Sequence, residues 1–175
     1  NPMTDPLPYT RPYRRAHDAT TARVEPAGDR LQVTLDRTAF YPTSGGQPFD
    51  TGSLGPYRVV DVRDEDDGSI THVVEANPEL KTENLASGQP IRGEIDWARR
   101  FDHMQQHTGQ HLLSAAFDAL FGVRTVSFHL GAAVSTIDLA REMSPAEIAA
   151  AEAAANRIVW ADRSVGNRIA DSEEA

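Results

Sequence analysis

Apolar and polar residues alternate along much of the N-terminal part of the chain. This period of two is typical of strands that bury one face. Gly28-Asp29 separates two of the alternating segments and favours a hairpin. Short strands separated by turn residues indicate a small β-barrel over residues 1–96. The predicted strands cover residues 22–26, 30–36, 57–63, 69–75 and 91–96.

The apolar spacing becomes helical after residue 96. From Trp97 to Phe121, apolar residues recur at the spacing of one helical face, which predicts a long helix that ends at Gly122. Ser144-Pro-Ala-Glu147 combines an N-cap serine, a proline in the first turn and a capping-box glutamate, so it predicts a last helix that continues to Trp160. We therefore expect an α+β chain, with an α+β domain over residues 97–175. The remaining predicted strands cover residues 125–129, 133–139 and 164–170.

Residues 41–56 are rich in glycine, proline, serine and threonine, and they predict an extended loop. The loop contains Gly45-Gly46-Gln47, and paired glycines permit positive φ angles and close approach of a partner to the backbone. For an isolated Gly-Gly pair, a wide structural turn is the favoured explanation. The same tripeptide occurs in translation release factors, whose glutamine loop acts on an ester at the end of tRNA. The acidic chain and the ordered flanks argue against that assignment.

His107 and His111 lie four residues apart in the predicted long helix. Residues at this spacing are about 40° apart around the helix axis, so both imidazoles can reach one metal ion. A metalloprotease would need a glutamate directly after the first histidine, and Thr108 stands there instead. Two histidines without a metal remain the alternative interpretation.

The other histidines receive weaker predictions. His103 is expected to be structural or exposed, and His129, at the end of a predicted strand, is expected near a pocket. His72 and His17 are expected at the surface.

Composition narrows the classes of protein. The 175 residues suffice for one medium domain or two small ones, and the absence of cysteine excludes disulfides and thiolate sites within them. No apolar run is long enough for a transmembrane helix. The formal charge of −9 argues against a strong general nucleic-acid binder, although a single basic patch can still hold RNA. Local basic clusters occur at Arg11, Arg14 and Arg15 and at Arg99 and Arg100.

Taken together, the glycine-rich loop and the histidine helix resemble the alanyl-tRNA editing proteins, which are free-standing relatives of the editing domain of alanyl-tRNA synthetase. The order of the matching segments is the one expected for that family, and Asn156-Arg157 also fits. The matching segments are residues 35–52, 96–113, 125–131 and 137–139.

The resemblance implies a β-barrel with a glycine-rich loop, followed by an α+β editing domain that carries zinc. It implies a trans-editing hydrolase that removes serine, and in second place glycine, from mischarged tRNA(Ala). The partner would be the acceptor end of that tRNA, in the cytoplasm. ATP and a membrane are not expected.

The resemblance also implies residue roles, although it assigns no catalytic residue. His107 and His111 match the first half of the family's zinc set, and its Cys-x-x-x-His half has no counterpart here. We therefore expect a chain truncated at its C-terminus, with the remaining ligands beyond residue 175. Thr38 would recognise the serine hydroxyl, and the other implied substrate-binding residues are Gly45, Gly46, Gln47 and His129.

The missing half of the zinc set leaves a second hypothesis open. The chain could be a non-catalytic module that binds tRNA or protein and retains the editing fold without a complete metal site.

Overall fold

A computed structural model of the chain describes residues 3–76 and 85–166. Within that part, no helix is both long enough and apolar enough to cross a membrane. The helices and strands are, in chain order, β1 (Asp5–Pro6), α1 (Leu7–Thr10), β2 (Ala16–Ala27), β3 (Arg30–Leu35), β4 (Arg37–Thr38), β5 (Gly52–Leu54), β6 (Tyr57–Asp64), β7 (Ile70–Glu75), β8 (Pro90–Ile95), α2 (Trp97–Phe121), β9 (Thr125–His129), β10 (Thr136–Leu139) and α3 (Pro145–Trp160).

Six strands close into a barrel in the order β2-β3-β7-β6-β5-β8, which confirms the predicted small barrel. Closure depends on the length of β2. Its first part, Ala16 to Thr20, pairs with β8, and its second part pairs with β3. The register shifts between Thr21 and Arg23, where β2 changes partner. A bulge at such a point bends the strand and increases its twist, as a closed barrel requires.

Alternate residues of each strand point into the barrel, so period-two patterns become a core. In β8, for example, Ile91, Gly93 and Ile95 are buried and the residues between them are exposed. The barrel core consists of sixteen buried apolar residues: Leu7, Ala19, Leu31, Val33, Leu35, Ala39, Phe40, Leu54, Tyr57, Val59, Val62, Ile70, Val74, Leu85, Ile91 and Ile95.

Some sequence predictions of strands were incomplete. Strand β2 begins at Ala16 rather than residue 22, because its inward residues there include His17 and Thr21, which do not read as an apolar face. Strand β5 lies inside the predicted loop over residues 41–56, since three residues that include a glycine give no strand pattern. The last predicted strand falls partly outside the described residues, and residues 164–166 are not in a strand.

The helices agree closely with their sequence signals. Helix α2 runs from Trp97 to Phe121 and ends at Gly122, as predicted. Helix α3 has the predicted capping box: the Ser144 side chain accepts from the Glu147 amide, and the Glu147 side chain accepts from the Ser144 amide. Strands β9 and β10 form a separate two-stranded sheet.

The chain divides into two compact units. The first, which we call the barrel unit, contains residues 1–107 and 129–136, and the second, the helical unit, contains residues 108–128 and 137–175. The helical unit has its own small core of Ala116, Phe117, Ala151 and Ala155. The predicted domain boundary at residue 96 stays a prediction.

Candidate functional site

Gly45 and Gly46 form the tip of a tight hairpin in the loop between β4 and β5. Both have positive φ angles, 55° and 78°, which a type I′ turn requires at its two central residues. Ser44 and Gln47 close the turn, because the amide of each donates to the carbonyl oxygen of the other at 3.2 and 2.9 Å. Both glycines are exposed, whereas Gln47 is only 4% exposed. The turn therefore presents nearly bare backbone to solvent and buries the glutamine that follows.

The buried carboxamide of Gln47 contacts the imidazole of His107. Its Oε1 lies 3.0 Å from Nδ1 of His107, which is half-buried in α2. Since a carboxamide oxygen only accepts hydrogen bonds, Nδ1 carries the hydrogen and donates it. In a neutral ring that tautomer leaves the lone pair on Nε2. The loop thereby sets the orientation and the tautomer of His107.

Arg100 holds the loop against the same helix. Its guanidinium is buried, and Nε donates to both oxygens of Asp50 at 3.0 and 2.9 Å. Nη2 donates to the carbonyl oxygen of Ala39 at 2.6 Å and also to Asp50. Nη1 donates to the carbonyl oxygen of Pro12 at 3.0 Å. One side chain thus ties the beginning and the end of the loop, and the N-terminal segment, to α2.

Arg100 and the partner of Gln47, His107, belong to the same helix. Arg100 and His107 are seven residues apart, so they lie two turns apart on nearly the same helical face. Asp50 also accepts from the amide of Tyr41 at 2.8 Å, which closes the base of the loop. The loop is therefore fixed at its base by Arg100 and meets His107 near its tip.

Thr38 lies inside the barrel and is fully buried. Its Oγ1 is 2.7 Å from Nε2 of His72 and accepts from the amide of Phe40 at 3.1 Å. Because Nδ1 of His72 lies 2.9 Å from the carbonyl oxygen of Val33, Nδ1 is the protonated nitrogen and Nε2 accepts from Thr38. The Thr38 hydroxyl therefore has one lone pair left, and its predicted role in recognising serine stays a prediction.

The expectation that His72 and His17 lie at the surface was wrong. They are 0% and 1% exposed, and each ring meets Phe40 edge to face, with centroids 5.4 and 5.8 Å apart. Both residues occupy inward positions of their strands. Gly93 makes room for His17, since a Cβ at that glycine would lie 2.3 Å from the imidazole.

Burial changes the protonation of both barrel histidines. It lowers the pKa of His72 to about 4, against the opposing effect of the hydrogen bond to Val33. Burial also lowers the pKa of His17 to about 4, and the positive charge of Arg14 acts in the same direction. Within the described residues, neither ring nitrogen of His17 has a hydrogen-bond partner. Both histidines are therefore neutral at pH 7 and belong to the barrel interior.

The three remaining histidines occupy different environments. His111 is exposed in α2, and its ring meets Phe128 with centroids 6.2 Å apart. His129 is exposed at the end of β9, and the amide of the next residue, Leu130, donates to the carbonyl oxygen of Gly46 at 3.4 Å.

His103 is buried, and its pKa is lowered by burial and then by the positive charge of Arg99. Of the predicted substrate-binding residues, Gly45, Gly46 and Gln47 lie together in the loop, and His129 is next to a residue that contacts it. Thr38 is buried and contacts His72.

The side chains that could bind zinc do not form a complete set of ligands within the described residues. Imidazole nitrogen is a suitable zinc ligand, but protein sites use three or four protein ligands. Among residues 3–76 and 85–166, no three histidine, aspartate or glutamate side chains come together in a way that could hold a metal. These residues alone do not complete a zinc site.

The buried ion pair between Arg100 and Asp50 was not predicted from the sequence. Buried charges are rare unless they are paired, and nothing in the local patterns joins two residues fifty positions apart. The resemblance offered one indication that both residues matter, because both lie inside the segments that resemble the editing proteins.

Comparison with known proteins gives consistent matches. The family described as tRNA synthetases class II (A) matches residues 15–99. An alanyl-tRNA editing protein, AlaX-M of Methanosarcina mazei, is 34% identical over 180 residues, which cover 99% of this chain and 70% of that protein.

Two longer proteins match as well. The alanyl-tRNA editing protein AlaX-L of Pyrococcus horikoshii is 36% identical over 91% of this chain, which spans 39% of its length. The alanine–tRNA ligase of Pyrococcus abyssi is 40% identical over 94% of this chain, which spans 18% of its length.

Proposed function

Because the chain belongs to the alanyl-tRNA editing protein family, we propose that it hydrolyses the ester between a wrong amino acid and tRNA(Ala). The similarity to AlaX-M across 99% of the chain carries this proposal. The buried contact between Gln47 and His107 supports it, because it supplies an oriented imidazole beside an exposed glycine turn.

The proposed substrate is Ser-tRNA(Ala), with Gly-tRNA(Ala) as a second substrate, and the proposed place of action is the cytoplasm. The protein would act on the acceptor end after release from the synthetase, and it would need no ATP because ester hydrolysis is downhill. The backbone of Gly45 and Gly46 would approach the terminal adenosine, since no side chain stands in the way. His129 would lie close to the same substrate end.

The side chains of the barrel unit would orient the reacting groups. Gln47 accepts from Nδ1 of His107, so when the ring is neutral its lone pair is on Nε2. Arg100 keeps the base of the loop in place, and Gln47 with it. A neutral imidazole held in one tautomer can bind a metal ion or orient a water molecule.

We further propose that His107 and His111 are two zinc ligands, because they lie one turn apart in α2. A bound zinc would supply Lewis acidity or a water of lowered pKa. The further cysteine and histidine ligands expected beyond residue 175 stay a prediction.

One observation favours the second candidate function, a binding module without catalysis. The described residues do not bring three metal ligands together. Such a module would bind tRNA(Ala) and release no serine.

The test is deacylation of Ser-tRNA(Ala), measured as release of labelled serine, with zinc content measured on the same samples. We expect the parent chain to deacylate, and Gln47→Ala to lower the rate about ten- to a hundredfold, the usual effect of removing a partner of a ligating histidine. Gln106→Ala, at an exposed position of α2, is the matched control. His107→Ala and His111→Ala should each lower the zinc content.

The outcomes separate the two candidates. Binding of tRNA(Ala) without serine release by the parent would refute the hydrolase and support the binding module. Equal rates for Gln47→Ala and Gln106→Ala would remove Gln47 from the site.

Thr38→Val tests the proposed recognition of serine. The variant removes the hydroxyl that donates to His72, so it should lower the free energy of unfolding by about 1–3 kcal/mol. If Thr38 also contacts serine, the preference for Ser-tRNA(Ala) over Gly-tRNA(Ala) falls as well. Thr34→Val, at another buried threonine of the barrel unit, is the control. A stability loss with unchanged preference would limit Thr38 to its structural role.

A further inference from the structure

Aromatic and arginine side chains lie together where the N-terminal segment meets the first turns of α2. Trp97 and Phe101 stack with ring centroids 5.7 Å apart, and Tyr13 lies 5.8 Å from Trp97 on a tilted plane. The guanidinium of Arg15 lies over the Trp97 ring, 4.7 Å from its centroid. We call these four residues the Trp97 surface. Tyr13 is 67% exposed and Phe101 is 38% exposed, so the surface is open to a partner.

Arginines lie close to the Trp97 surface, although the whole chain carries a formal charge of −9. Arg11, Arg14 and Arg15 follow one another closely beside Tyr13, whereas Arg99 is directed to Phe49, to whose carbonyl oxygen its Nε donates at 3.0 Å. In the part of the chain that the structure describes, none of these four arginines forms an ion pair. Arg15 therefore gives the Trp97 surface a positive charge that a phosphate group can contact.

The Trp97 surface is held rigid before any partner arrives. Pro12, next to Tyr13, accepts through its carbonyl oxygen from buried Arg100 at 3.0 Å. The carbonyl oxygen of Arg15 accepts from the amide of Ile95 at 2.8 Å. Because both flanks of Tyr13 are fixed, binding would order few groups that are not already ordered, which favours affinity.

We propose that the Trp97 surface binds the single-stranded acceptor end of the tRNA by base stacking. Exposed aromatic rings beside arginines recognise unpaired bases, whose faces stack whatever the sequence. The guanidinium of Arg15, which lies over the Trp97 ring, is suited to contact a phosphate of the same strand. This inference rests on the proposed function, because it takes the substrate to be a tRNA.

The distance to the proposed reaction centre fits this partner. Trp97 and His107 are ten residues apart in one helix, about 15 Å along its axis. Stacked nucleotides advance about 3.4 Å each, so roughly four of them cover that distance. That length is comparable with the unpaired end of a tRNA. A nucleic-acid strand stacked on the Trp97 surface could therefore reach the glycine-rich loop and His107, which belong to the same compact unit.

Tryptophan fluorescence provides a direct test. The chain has two tryptophans, Trp97 and Trp160, and Trp160 is 80% exposed at the end of α3. In the Trp160→Phe background, all tryptophan emission comes from Trp97. We expect uncharged tRNA(Ala) and a short ACCA oligoribonucleotide to quench it, because a stacked base contacts the ring or its neighbours.

Variants then separate stacking from charge. Tyr13→Ala should raise the Kd for uncharged tRNA(Ala) about tenfold. Arg15→Ala should weaken binding and reduce the salt slope of log Kd by about one. Arg30→Ala, at an exposed position of the β2–β3 hairpin, is the matched control and should keep the parent slope within about 0.2. Circular dichroism checks that each variant is folded.

The outcomes distinguish this inference from the proposed function. Unchanged Kd values for folded Tyr13→Ala and Arg15→Ala, in a chain that deacylates Ser-tRNA(Ala), would overturn the Trp97 surface and leave the hydrolase intact. Loss of binding in both variants, with a parent chain that binds tRNA and releases no serine, would support the surface and refute the hydrolase. Equal quenching by polyglutamate would indicate a protein partner and would also overturn the inference.

Discussion

The barrel unit and the helical unit bury their side chains in different ways. The barrel core contains sixteen apolar residues, several of them large, and the barrel unit also buries polar groups such as Thr38, His72 and the Arg100–Asp50 pair. The core of the helical unit has four buried residues, and three of them are alanines. Large apolar residues of its helix α3, including Val159 and Trp160, remain exposed.

The difference shows where each unit derives its stability. Burial of a large apolar side chain contributes about 1.5–3 kcal/mol, and a methyl group contributes far less. The barrel unit therefore has enough apolar burial to offset the desolvation of its polar residues. The helical unit depends more on the capping of α3 and on its helix propensity, which is high because the sequence is rich in alanine.

The largest expected effect is the loss of the buried ion pair. Arg100→Met leaves the carboxylate of Asp50 without its buried partner, so we expect the free energy of unfolding to fall by about 3–5 kcal/mol. Urea denaturation measures this free energy. Arg63→Met, which breaks the exposed pair with Asp61, is the control and should change stability much less.

A double variant identifies the cause. Adding Asp50→Leu to Arg100→Met removes the unpaired charge and should recover part of the lost stability. Asp50→Leu in the parent background measures the cost of losing the bond from the Tyr41 amide together with the bonds from Arg100. If the double variant loses as much stability as the two single variants combined, the unpaired charge is not the reason.

The next effect is a fall in stability at acid pH that originates in the barrel. In the unfolded chain a histidine has a pKa near 6.5, whereas burial holds the pKa of His17 and His72 at about 4. Between pH 6.5 and 4 the unfolded chain therefore binds more protons than the folded chain. The stability that comes from keeping these histidines neutral is fully present above pH 6.5 and is lost as the pH falls toward 4. The expected loss is roughly 3 kcal/mol for each histidine.

A comparison of variants isolates the histidine from the carboxylates that also titrate in acid. His17→Leu should flatten the plot of unfolding free energy against pH between 6.5 and 4. Gln106→Ala, at an exposed position of α2 that carries no titratable group, should leave the parent slope. Parallel plots for the parent and His17→Leu would exclude this origin.

The smallest effect concerns the capping box of the helical unit. Ser144→Ala removes the side chain that accepts from the Glu147 amide, and the typical loss is about 1 kcal/mol. Hydrogen exchange should accelerate in the first turn of α3 and stay unchanged in the barrel. Ser164→Ala, at an exposed serine after α3, is the control. Equal acceleration in barrel strands would contradict the separation of the two units.

The sequence predicted features that depend on local patterns. Both ends of α2, the capping box of α3 and the barrel class follow from periodicity and cap residues, and the structure confirms them. It did not predict the burial of His17 and His72, because alternation was expected to place polar residues outside and only closure of the sheet turns them inward. The contacts of Gln47 with His107 and of Asp50 with Arg100 join distant segments, so no local pattern reports them.

The closed ring of six strands has a consequence for the protein in concentrated solution. Each strand of the ring has a neighbour on both sides, although the three residues of β5 pair with only part of β6 and β8. An edge that could recruit a strand from another molecule is the usual starting point of fibrillar aggregation. Closure of the ring leaves only short unpaired stretches beside β5, so its valine- and isoleucine-rich segments are protected from intermolecular sheet growth.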